Sequence, residues 1–246
     1  MDREEIDRYA RHLVLREVGG SGQNALRSAK ACVVGAGGLG GPAALYLAAA
    51  GVGHIAIIDD DRVELSNLQR QVQFGDDDVG RRKAVVLAER CAAINGTIEV
   101  GARERRLDET NAQKLLHGYD VVLDGTDSFA TRFAVNRAAH ALVIPLISGA
   151  VERWSGQVGV FDAPGPCYQC FVPAAPPQAE SCVEAGIIGA LTGVVGSTMA
   201  LEAIKVVTGA GSPLAGRLWL YDGLAAESRT VELSRDPDCE VCGAEA

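Results

Sequence analysis

A glycine-rich turn and an acidic residue about twenty positions later form the first group of residues with a chemical use. The glycines of the segment GAGGLG are Gly35, Gly37, Gly38 and Gly40. Glycines let a backbone turn tightly and approach a phosphate, and the N-terminus of the following helix adds positive partial charge. Asp59 ends the next apolar run, where a carboxylate can accept both hydroxyls of a ribose. The pattern predicts a site for an adenosine nucleotide, and it fits an NAD-dependent dehydrogenase equally well.

Three charged residues distinguish a phosphate-transfer site from the site of a dehydrogenase. Arg70 lies in the segment SNLQRQ, where a simple dehydrogenase usually continues into its next helix. Lys83 begins a later helical segment, and Asp127 follows another apolar run. Transfer of an adenylyl group requires cations and a metal-binding carboxylate around a triphosphate, whereas hydride transfer requires neither. Each residue alone could be a surface charge or a helix cap, but their order along one nucleotide-binding pattern predicts ATP and Mg²⁺ as ligands.

Two pairs of cysteines with the spacing C-x-x-C predict a structural zinc site. They are Cys167 with Cys170 and Cys239 with Cys242. Four thiolates complete a closed tetrahedral Zn²⁺ site, which would tie a Pro-rich loop to the C-terminal segment. The alternative is a redox C-x-x-C motif, but that motif needs no second pair and usually lies next to an early strand and helix.

The three other cysteines differ in their surroundings. Cys32 lies inside the first apolar run and Cys91 lies on a helix, so both are expected in the core. Cys182 lies in the polar segment PQAESCVEAG. The neighbouring Glu180 and Glu184 disfavour a thiolate, so the residues alone leave a catalytic role for Cys182 open.

The elements that position these residues alternate between apolar runs and helical patterns from about residue 28 to residue 150. This alternation predicts a Rossmann-like α/β fold with a mostly parallel sheet and helices on both faces. A strand over residues 157–161 and two late strands predict an antiparallel extension of the sheet. No linker divides the chain, so we expect one domain over residues 1–246, with a nucleotide-binding part at about 28–150 and a second part at about 151–246 that contains the zinc site.

Three local patterns predict further detail. Residues 2–16 have an amphipathic helical pattern. The residues expected to face a core are Ile6, Tyr9, Leu13 and Leu15. Asp108 is predicted to cap the N-terminus of a helix, and the Pro-rich segment 163–177 is expected to have little regular structure.

The composition argues against a nucleic-acid site and a membrane span. The formal net charge is −9, whereas phosphate backbones are bound by a basic face. Residues 1–17 are charged and lack the apolar centre of a signal peptide. The apolar stretch 186–201 contains Gly, Ser and Thr and continues into Glu202 and Lys205, which favours a buried helix. We therefore expect a cytoplasmic protein whose cysteines are metal ligands or free thiols.

The sequence resembles the bacterial ThiF/MoeB/HesA family, the prokaryotic relatives of ubiquitin-activating enzymes, and most of all its molybdopterin-synthase adenylyltransferases. The resemblance covers nearly the whole chain. Its segments are RYARHLVL, GAGGLG, IIDDDRVELSNLQRQ, GRRKA, LDGTDS, CYQC, SCVEAG and CEVCG. Gly125 and Ser128 depart from the family pattern, because many members have Cys and Asn there. Neither position has an assigned chemical role.

The resemblance implies that most of the candidate residues contact the nucleotide or its metal. The residues expected against the nucleotide are Gly35, Gly37, Gly38 and Gly40, with Asp59 on the ribose, Asn67, Arg70 and Lys83 on the phosphates and Asp127 on Mg²⁺. Arg11 is expected to reach into the active site of the neighbouring subunit of a homodimer. In some relatives the cysteine that matches Cys182 forms a covalent link with the protein substrate, and in others it is dispensable.

The function implied by the resemblance is the adenylation, with MgATP, of the C-terminal Gly-Gly carboxylate of a small ubiquitin-like sulfur-carrier protein, with release of pyrophosphate. The carrier is expected to bind the late strands and the Pro-rich loop. A separate sulfur donor is expected, because the sequence lacks the sulfurtransferase domain that follows in some relatives. Molybdopterin, thiamin and other sulfur-transfer pathways remain open. Two alternatives also remain, an NAD-dependent oxidoreductase and a non-catalytic nucleotide-binding scaffold.

Overall fold

The apolar runs of the sequence form the strands of one mixed sheet. The computed structural model describes residues 1–176 and 186–243. Its strands are β1 (Lys30–Val34), β2 (His54–Ile58), β3 (Glu99–Arg103), β4 (Val121–Asp124), β5 (Leu146–Glu152), β6 (Ser155–Phe161), β7 (Arg217–Asp222) and β8 (Glu227–Glu232). The central strands β1 and β4 are buried along almost their whole length, because helices cover both faces of the sheet.

The sheet joins a parallel half to an antiparallel half. Its strand order is β3-β2-β1-β4-β5-β6-β7-β8. Neighbouring strands from β3 to β5 are parallel, and those from β5 to β8 are antiparallel. The predicted Rossmann-like sheet and its antiparallel extension are confirmed.

Helices bury both faces of the sheet in two separate cores. The helices of the described residues are α1 (Arg3–Arg8), α2 (Ala10–Leu13), α3 (Gly19–Ser28), α4 (Gly40–Ala50), α5 (Lys83–Ile94), α6 (Ala112–Leu116), α7 (Phe129–Ala141), α8 (Tyr168–Phe171) and α9 (Gly189–Thr208). On one face, α4, α5 and α9 contribute side chains such as Leu47 and Met199. On the other face, α6, α7 and α8 contribute side chains such as Leu116 and Val135.

Helix α9 is a core helix, as the sequence predicts. Of the helices in the described part of the chain, it alone has the length and apolar composition of a membrane-spanning helix. It packs against α4 and against strands β5 and β6. Its buried side chains include Leu191, Val195, Met199 and Ala203. The apolar character of α9 is therefore explained by contacts within the fold.

The N-terminal segment differs from the predicted continuous helix. The helical run breaks at Tyr9, whose φ and ψ are −99° and 14°, so that α1 and α2 are separate. Of the four residues expected to face a core, only Tyr9 is buried, whereas Ile6 and Leu15 are exposed. The Tyr9 ring lies against Gly51, and its hydroxyl accepts a hydrogen bond of 2.8 Å from Asn95 Nδ2. One buried anchor thus determines the path of this segment.

One other local prediction was wrong. Asn111 and not Asp108 is the N-cap residue of α6, because Asp108 Oδ1 accepts hydrogen bonds from the backbone and the hydroxyl of Thr110 and forms a local turn. The described part of the Pro-rich segment has little regular structure, as predicted, apart from the helical turn α8 between Cys167 and Val172.

Candidate active site

A crevice opens where the chain changes direction across the sheet. β1 pairs with β2 on one side and with β4 on the other. The loops that follow β1 and β4 therefore leave the carboxyl edge of the sheet in opposite directions. Ligands of open α/β sheets bind at such points.

The glycine turn after β1 has a shape that requires glycine. Gly35 has a φ of 89°, and a methyl group built on Gly40 would lie 1.8 Å from the carbonyl oxygen of Gly35. The N-cap residue of α4, Leu39, provides no side-chain cap. The Gly41 and Ala43 N–H groups donate to the carbonyls of Gly37 and Leu39, and Pro42 has no N–H. The dipole of α4 favours an anion beside the glycine turn.

The loop after β4 closes the crevice from its other side. The Gly125 N–H donates a hydrogen bond of 2.9 Å to the Val34 carbonyl, and a methyl group built on Gly125 would lie 2.8 Å from the nitrogen of Gly40. The two loops surround one cleft of about 1280 Å³. The predicted residues that line this cleft are Gly35, Gly37, Gly38, Asp59, Arg70, Lys83 and Asp127.

Gly40 and Asn67 are not among the residues that line the cleft. Gly40 lies inside the glycine turn, as described above. Asn67 is buried, and its Oδ1 accepts a hydrogen bond of 3.2 Å from the Glu64 N–H. Asn67 thereby supports the loop that carries Arg70, and its phosphate contact stays a prediction.

Asp59 lies at the end of β2, next to the glycine turn. Its Oδ2 accepts a hydrogen bond of 2.7 Å from the Ala36 N–H, and its Oδ1 accepts one of 2.8 Å from the Asp61 N–H. Burial raises the pKa of Asp59 above its usual value, while these N–H donors and Lys83 oppose part of that rise. A carboxylate has about four acceptor positions, so Asp59 retains capacity for ribose hydroxyls.

The two predicted cations are each held in place by a specific contact. Lys83 is buried at the start of α5, and its Nζ lies 2.9 Å from Asp61 Oδ2. Arg70 donates a hydrogen bond of 3.0 Å from Nη1 to the Ser66 carbonyl, while its own carbonyl accepts one of 3.0 Å from Thr192 Oγ1. Both side chains line the cleft, where they can pair with phosphate oxygens.

Asp127 is exposed to the cleft, on a loop whose backbone is contacted by the buried side chain of Arg132. The Arg132 guanidinium is buried and donates hydrogen bonds to the carbonyls of Thr126 and Gly149. Asp124 Oδ1 accepts hydrogen bonds from the N–H and hydroxyl of Thr126. Burial raises the pKa of Asp124, and the positive charge of Arg132 opposes that rise. Asp124 and Arg132 therefore hold Thr126, the residue immediately before Asp127, by its N–H, hydroxyl and carbonyl groups.

Polar residues that were not predicted from the sequence also line the cleft, among them Gln71, Arg105, Arg106 and Arg132. Arg105 and Arg106 follow β3 directly, at the same carboxyl edge of the sheet as Asp59. That position is the signal by which they could have been found. Arg132 could have been found only from its place on α7, five residues after Asp127.

Arg11 lies away from the cleft of its own chain. It follows Tyr9, which is anchored against Gly51 at the C-terminus of α4. The adjacent His12 bonds to Gln23, which in turn donates to the Ala50 carbonyl. The glycine turn lies at the opposite end of α4, a helix about 16 Å long at 1.5 Å per residue. An arginine side chain is too short to span that distance.

The two cysteine pairs meet although they are far apart in sequence. The four sulfur atoms lie within 4.8 Å of one another. The Cys167–Cys239 and Cys170–Cys242 sulfur distances are 3.6 and 3.3 Å. Tetrahedral Zn²⁺ with bonds of about 2.3 Å places its sulfur ligands about 3.8 Å apart, so the donor set fits zinc.

Two N–H donors lie next to sulfur atoms of the cysteine cluster. Asn136 Nδ2 lies 3.5 Å from Cys167 Sγ, and the Asp236 N–H lies 3.4 Å from Cys170 Sγ. Such donors orient metal-bound thiolates.

Burial raises the pKa of both Cys32 and Cys91 to about 12, as expected for core residues. Cys182 lies outside the described residues.

The cleft extends well beyond the nucleotide-binding residues. Its far end is lined by α8, by the turn between β5 and β6, and by β7 and β8. The residues there include Glu152, Arg153, Gln157, Tyr168, Phe171, Leu220, Asp222 and Arg229. The antiparallel extension and α8 thus form the second half of the same cleft.

Comparison with known proteins agrees with this geometry. The chain is 49% identical over 251 residues to the sulfur carrier protein adenylyltransferase of Thermus thermophilus, covering 99% of this chain and 93% of the relative. It is 44% identical over 245 residues to the SAMP-activating enzyme E1 of Haloferax volcanii, covering 99% and 91%. Among solved structures, E. coli MccB with MccA-N7isoASN has a TM-score of 0.85 at 26% identity, covering 96% of this chain and 75% of that chain. MccB with ATP has a TM-score of 0.79 at 25% identity, covering 91% and 68%.

A family model also matches most of the chain. It is the model of the ThiF family, and it matches residues 9–241. The match spans the glycine turn, the loops of the cleft and three of the four clustered cysteines, with Cys242 directly after it. Together with relatives that share nearly half of its residues, this match shows that the chain belongs to the ThiF family.

Proposed function

We propose that this protein uses MgATP to adenylate the C-terminal carboxylate of a sulfur-carrier protein, a small ubiquitin-like protein that ends in Gly-Gly. The name of the Thermus thermophilus relative supports the reaction and the class of substrate. The crystal structure of MccB with ATP supports the nucleotide. Carboxylates are poor electrophiles, and adenylation converts them into good ones.

The observation that carries this proposal is the continuity of the cleft. Its volume of about 1280 Å³ exceeds the usual range of about 300 to 1000 Å³ for a small-molecule site. One end has the cations and carboxylates that suit MgATP, and the other end is formed by the antiparallel extension. An extended Gly-Gly tail entering from the extension would bring its carboxylate to the α-phosphate.

The residues of the chain have distinct tasks in this reaction. Asp59 orients the ribose, and the glycine turn brings the phosphates against the N-terminus of α4. Arg70 and Lys83 neutralise charge on the phosphates as it develops in the transition state. Asp127 would hold Mg²⁺, which shields the charge of the pyrophosphate leaving group when bound. Arg132 maintains the backbone on which Asp127 depends.

The zinc site has a structural task. All four ligands of the closed site are protein thiolates, so no position remains for a substrate. Zinc would connect α8, which lines the far end of the cleft, to residues 239–242.

ATP–pyrophosphate exchange with a purified Gly-Gly carrier tests the proposal. We expect exchange that requires both Mg²⁺ and the carrier, and no exchange with a carrier that lacks its last glycine. An NAD-dependent oxidoreductase would be stabilised against heat by NAD instead of ATP. A non-catalytic scaffold would be stabilised by ATP but would catalyse no exchange with any carrier.

The active protein is proposed to be a homodimer with shared sites. Arg11 is exposed and cannot reach the cleft of its own chain, so its predicted role requires a second copy. Helix α9 presents Val194 and Leu201 to solvent, seven residues apart and therefore on one side of the helix, and neighbouring α4 exposes Tyr46. An apolar surface of this kind suits a subunit interface.

Three further features belong to the same proposal. A separate protein supplies the sulfur, Cys182 stays a candidate for a covalent intermediate with the carrier, and the enzyme works in the cytoplasm. Mass spectrometry of proteins captured with MgATP would identify the carrier and the sulfur donor. Loss of activity in Cys182→Ala but not in Cys91→Ala would support a covalent role for Cys182.

A further inference from the structure

The side-chain amide of Gln71 has no role in the reaction as described so far, yet it lies in the wall of the cleft. Gln71 is only 5% exposed and lines the cleft next to Arg70. Its Oε1 has no hydrogen-bond partner among the described residues. Buried polar atoms are normally hydrogen-bonded, so the unpaired Oε1 indicates a missing donor, such as a water molecule bound with a ligand in the cleft.

The position of the amide identifies the part of the ligand that it faces. A methyl group built on Gly37 would lie 3.5 Å from Gln71 Nε2. The amide therefore lies between the glycine turn and Arg70, the two features that bind phosphates in the proposed function.

Gln73 provides a useful contrast in the same loop. Its Nε2 donates hydrogen bonds of 2.8 and 3.0 Å to the carbonyls of Ala36 and Gly37. Gln73 Oε1 also lacks a partner, but Gln73 packs under Gly41 and does not line the cleft. Gln73 therefore supports the glycine turn from behind, whereas Gln71 is placed to contact what the turn binds.

We propose that Gln71 is a further binding residue for the triphosphate of MgATP, an inference that rests on the proposed function. Nε2 donates a hydrogen bond to a phosphate oxygen beside Gly37, and Oε1 accepts one from water bound with the nucleotide. A carboxamide suits this place because it combines a donor and an acceptor without charge. A carboxylate at the same position would repel the phosphates.

Binding titrations with MgATP and with adenosine test this role. Gln71→Leu keeps the approximate size of the side chain without its hydrogen bonds, and Gln71→Asn keeps an amide that is too short. Both variants should bind MgATP about tenfold more weakly than the parent protein, since a hydrogen bond to a charged group is lost, and adenosine with unchanged affinity. The affinity for MgATP should fall further in Gln71→Glu than in Gln71→Leu. The matched control is Gln69→Leu, because Gln69 is exposed and outside the cleft.

Two results would overturn the inference. One is an unchanged affinity for MgATP in both Gln71→Leu and Gln71→Asn. The other is an equal loss of affinity for MgATP and adenosine, which would make Gln71 a packing residue of the cleft wall. A parent protein that binds no MgATP would instead overturn the proposed function, and with it the role of Gln71. The Asn variant keeps the test decisive if the Leu variant fails to fold.

Discussion

At the scale of single residues, Asp127 is the group on which the proposed metal site depends. It is exposed to the cleft on the loop after β4. Asp127→Ala should lower the rate of ATP–pyrophosphate exchange by about a hundredfold or more, because a main source of charge stabilisation in the transition state is lost. Asp77→Ala is the control, since Asp77 is exposed and outside the cleft. Parent-like exchange by a folded Asp127→Ala protein would remove Asp127 from the mechanism.

The burial of Asp59 leads to a prediction about how the affinity for adenosine depends on pH. Burial raises the pKa of Asp59, so its carboxylate is protonated at a higher pH than an ordinary aspartate. Protonation removes the negative charge and an acceptor for the ribose, and we expect the affinity to fall as the pH decreases from neutrality. Adenosine is the suitable probe, because it has no phosphate that titrates. Asp59→Asn should bind adenosine about tenfold more weakly, with an affinity that does not vary with pH over the same range.

The same pH dependence in Asp59→Asn as in the parent protein would show that another group titrates. The charges that face Asp59 are Lys83 and Asp61, which form an ion pair with each other. Lys83→Met would then test whether that ion pair causes the change.

At the scale of elements, the start of α9 connects two loops that form the nucleotide end of the cleft. The Thr192 hydroxyl donates to the Arg70 carbonyl at 3.0 Å and to the Gly189 carbonyl at 2.7 Å. A methyl group built on Gly38 would lie 3.0 Å from Thr192 Cγ2. One buried side chain at the start of α9 therefore touches both the glycine turn and the loop of Arg70.

Replacing Thr192 tests this connection. Thr192→Val keeps the shape but removes the hydroxyl, and should raise KM for ATP several-fold and lower the free energy of unfolding by about 1 kcal/mol. Thr192→Ser keeps the hydroxyl and should retain a KM near that of the parent. Thr198→Val is the control, because the exposed Thr198 hydroxyl bonds only to Val194 of the same helix. Equal KM values for the Val and Ser variants would contradict the role of the hydroxyl.

The zinc site is the second prediction at this scale. Protein purified without chelator should contain about one zinc per chain, bound by Cys167, Cys170, Cys239 and Cys242. Metal binding of this kind contributes on the order of 10 kcal/mol to local folding. Removing the metal should therefore lower the thermal midpoint and expose residues 234–243 to proteases. Elemental analysis decides the question, and metal-free protein with four freely titratable thiols would exclude the site.

At the scale of the whole molecule, the proposed role of Arg11 predicts that two chains complete one site. An Arg11→Ala chain and an Asp127→Ala chain should each be inactive alone. In a mixed dimer, one site then lacks both groups and the other lacks neither. Random exchange of equal amounts makes half of the dimers mixed, so about a quarter of the parent activity should return.

The mixing experiment has a clear contrary outcome. If Arg11 served its own subunit, every site would have one defect and no activity would return. Light scattering provides an independent measurement, since a monomer at the working concentration would contradict a shared site. Arg16→Ala is a suitable control chain, because Arg16 is also exposed in the N-terminal segment and has no assigned role.

The sequence by itself determined the features that depend on local pattern. The glycine turn, Asp59 and the alternation of strands and helices follow from residue type and spacing, because tight turns and strand burial restrict which residues fit. The C-x-x-C pairs likewise predict a zinc site without a fold, because tetrahedral zinc suits thiolates at short spacing. Periodicity was insufficient at the N-terminus, where the anchor of Tyr9 against Gly51 overrides the amphipathic pattern.

Only the tertiary structure decided which residues meet across long distances in the chain. Cys167 and Cys239 are separated by 72 residues, and their contact depends on how α8 and the C-terminal segment pack. Gln71 and Arg132 resemble ordinary polar residues in sequence, but packing buries them in or beneath the cleft wall. Arg11 was expected to serve the neighbouring subunit, and only the fold shows that it lies beyond the reach of its own cleft. These differences arise because burial and proximity depend on the packing of whole elements, which the local sequence does not specify.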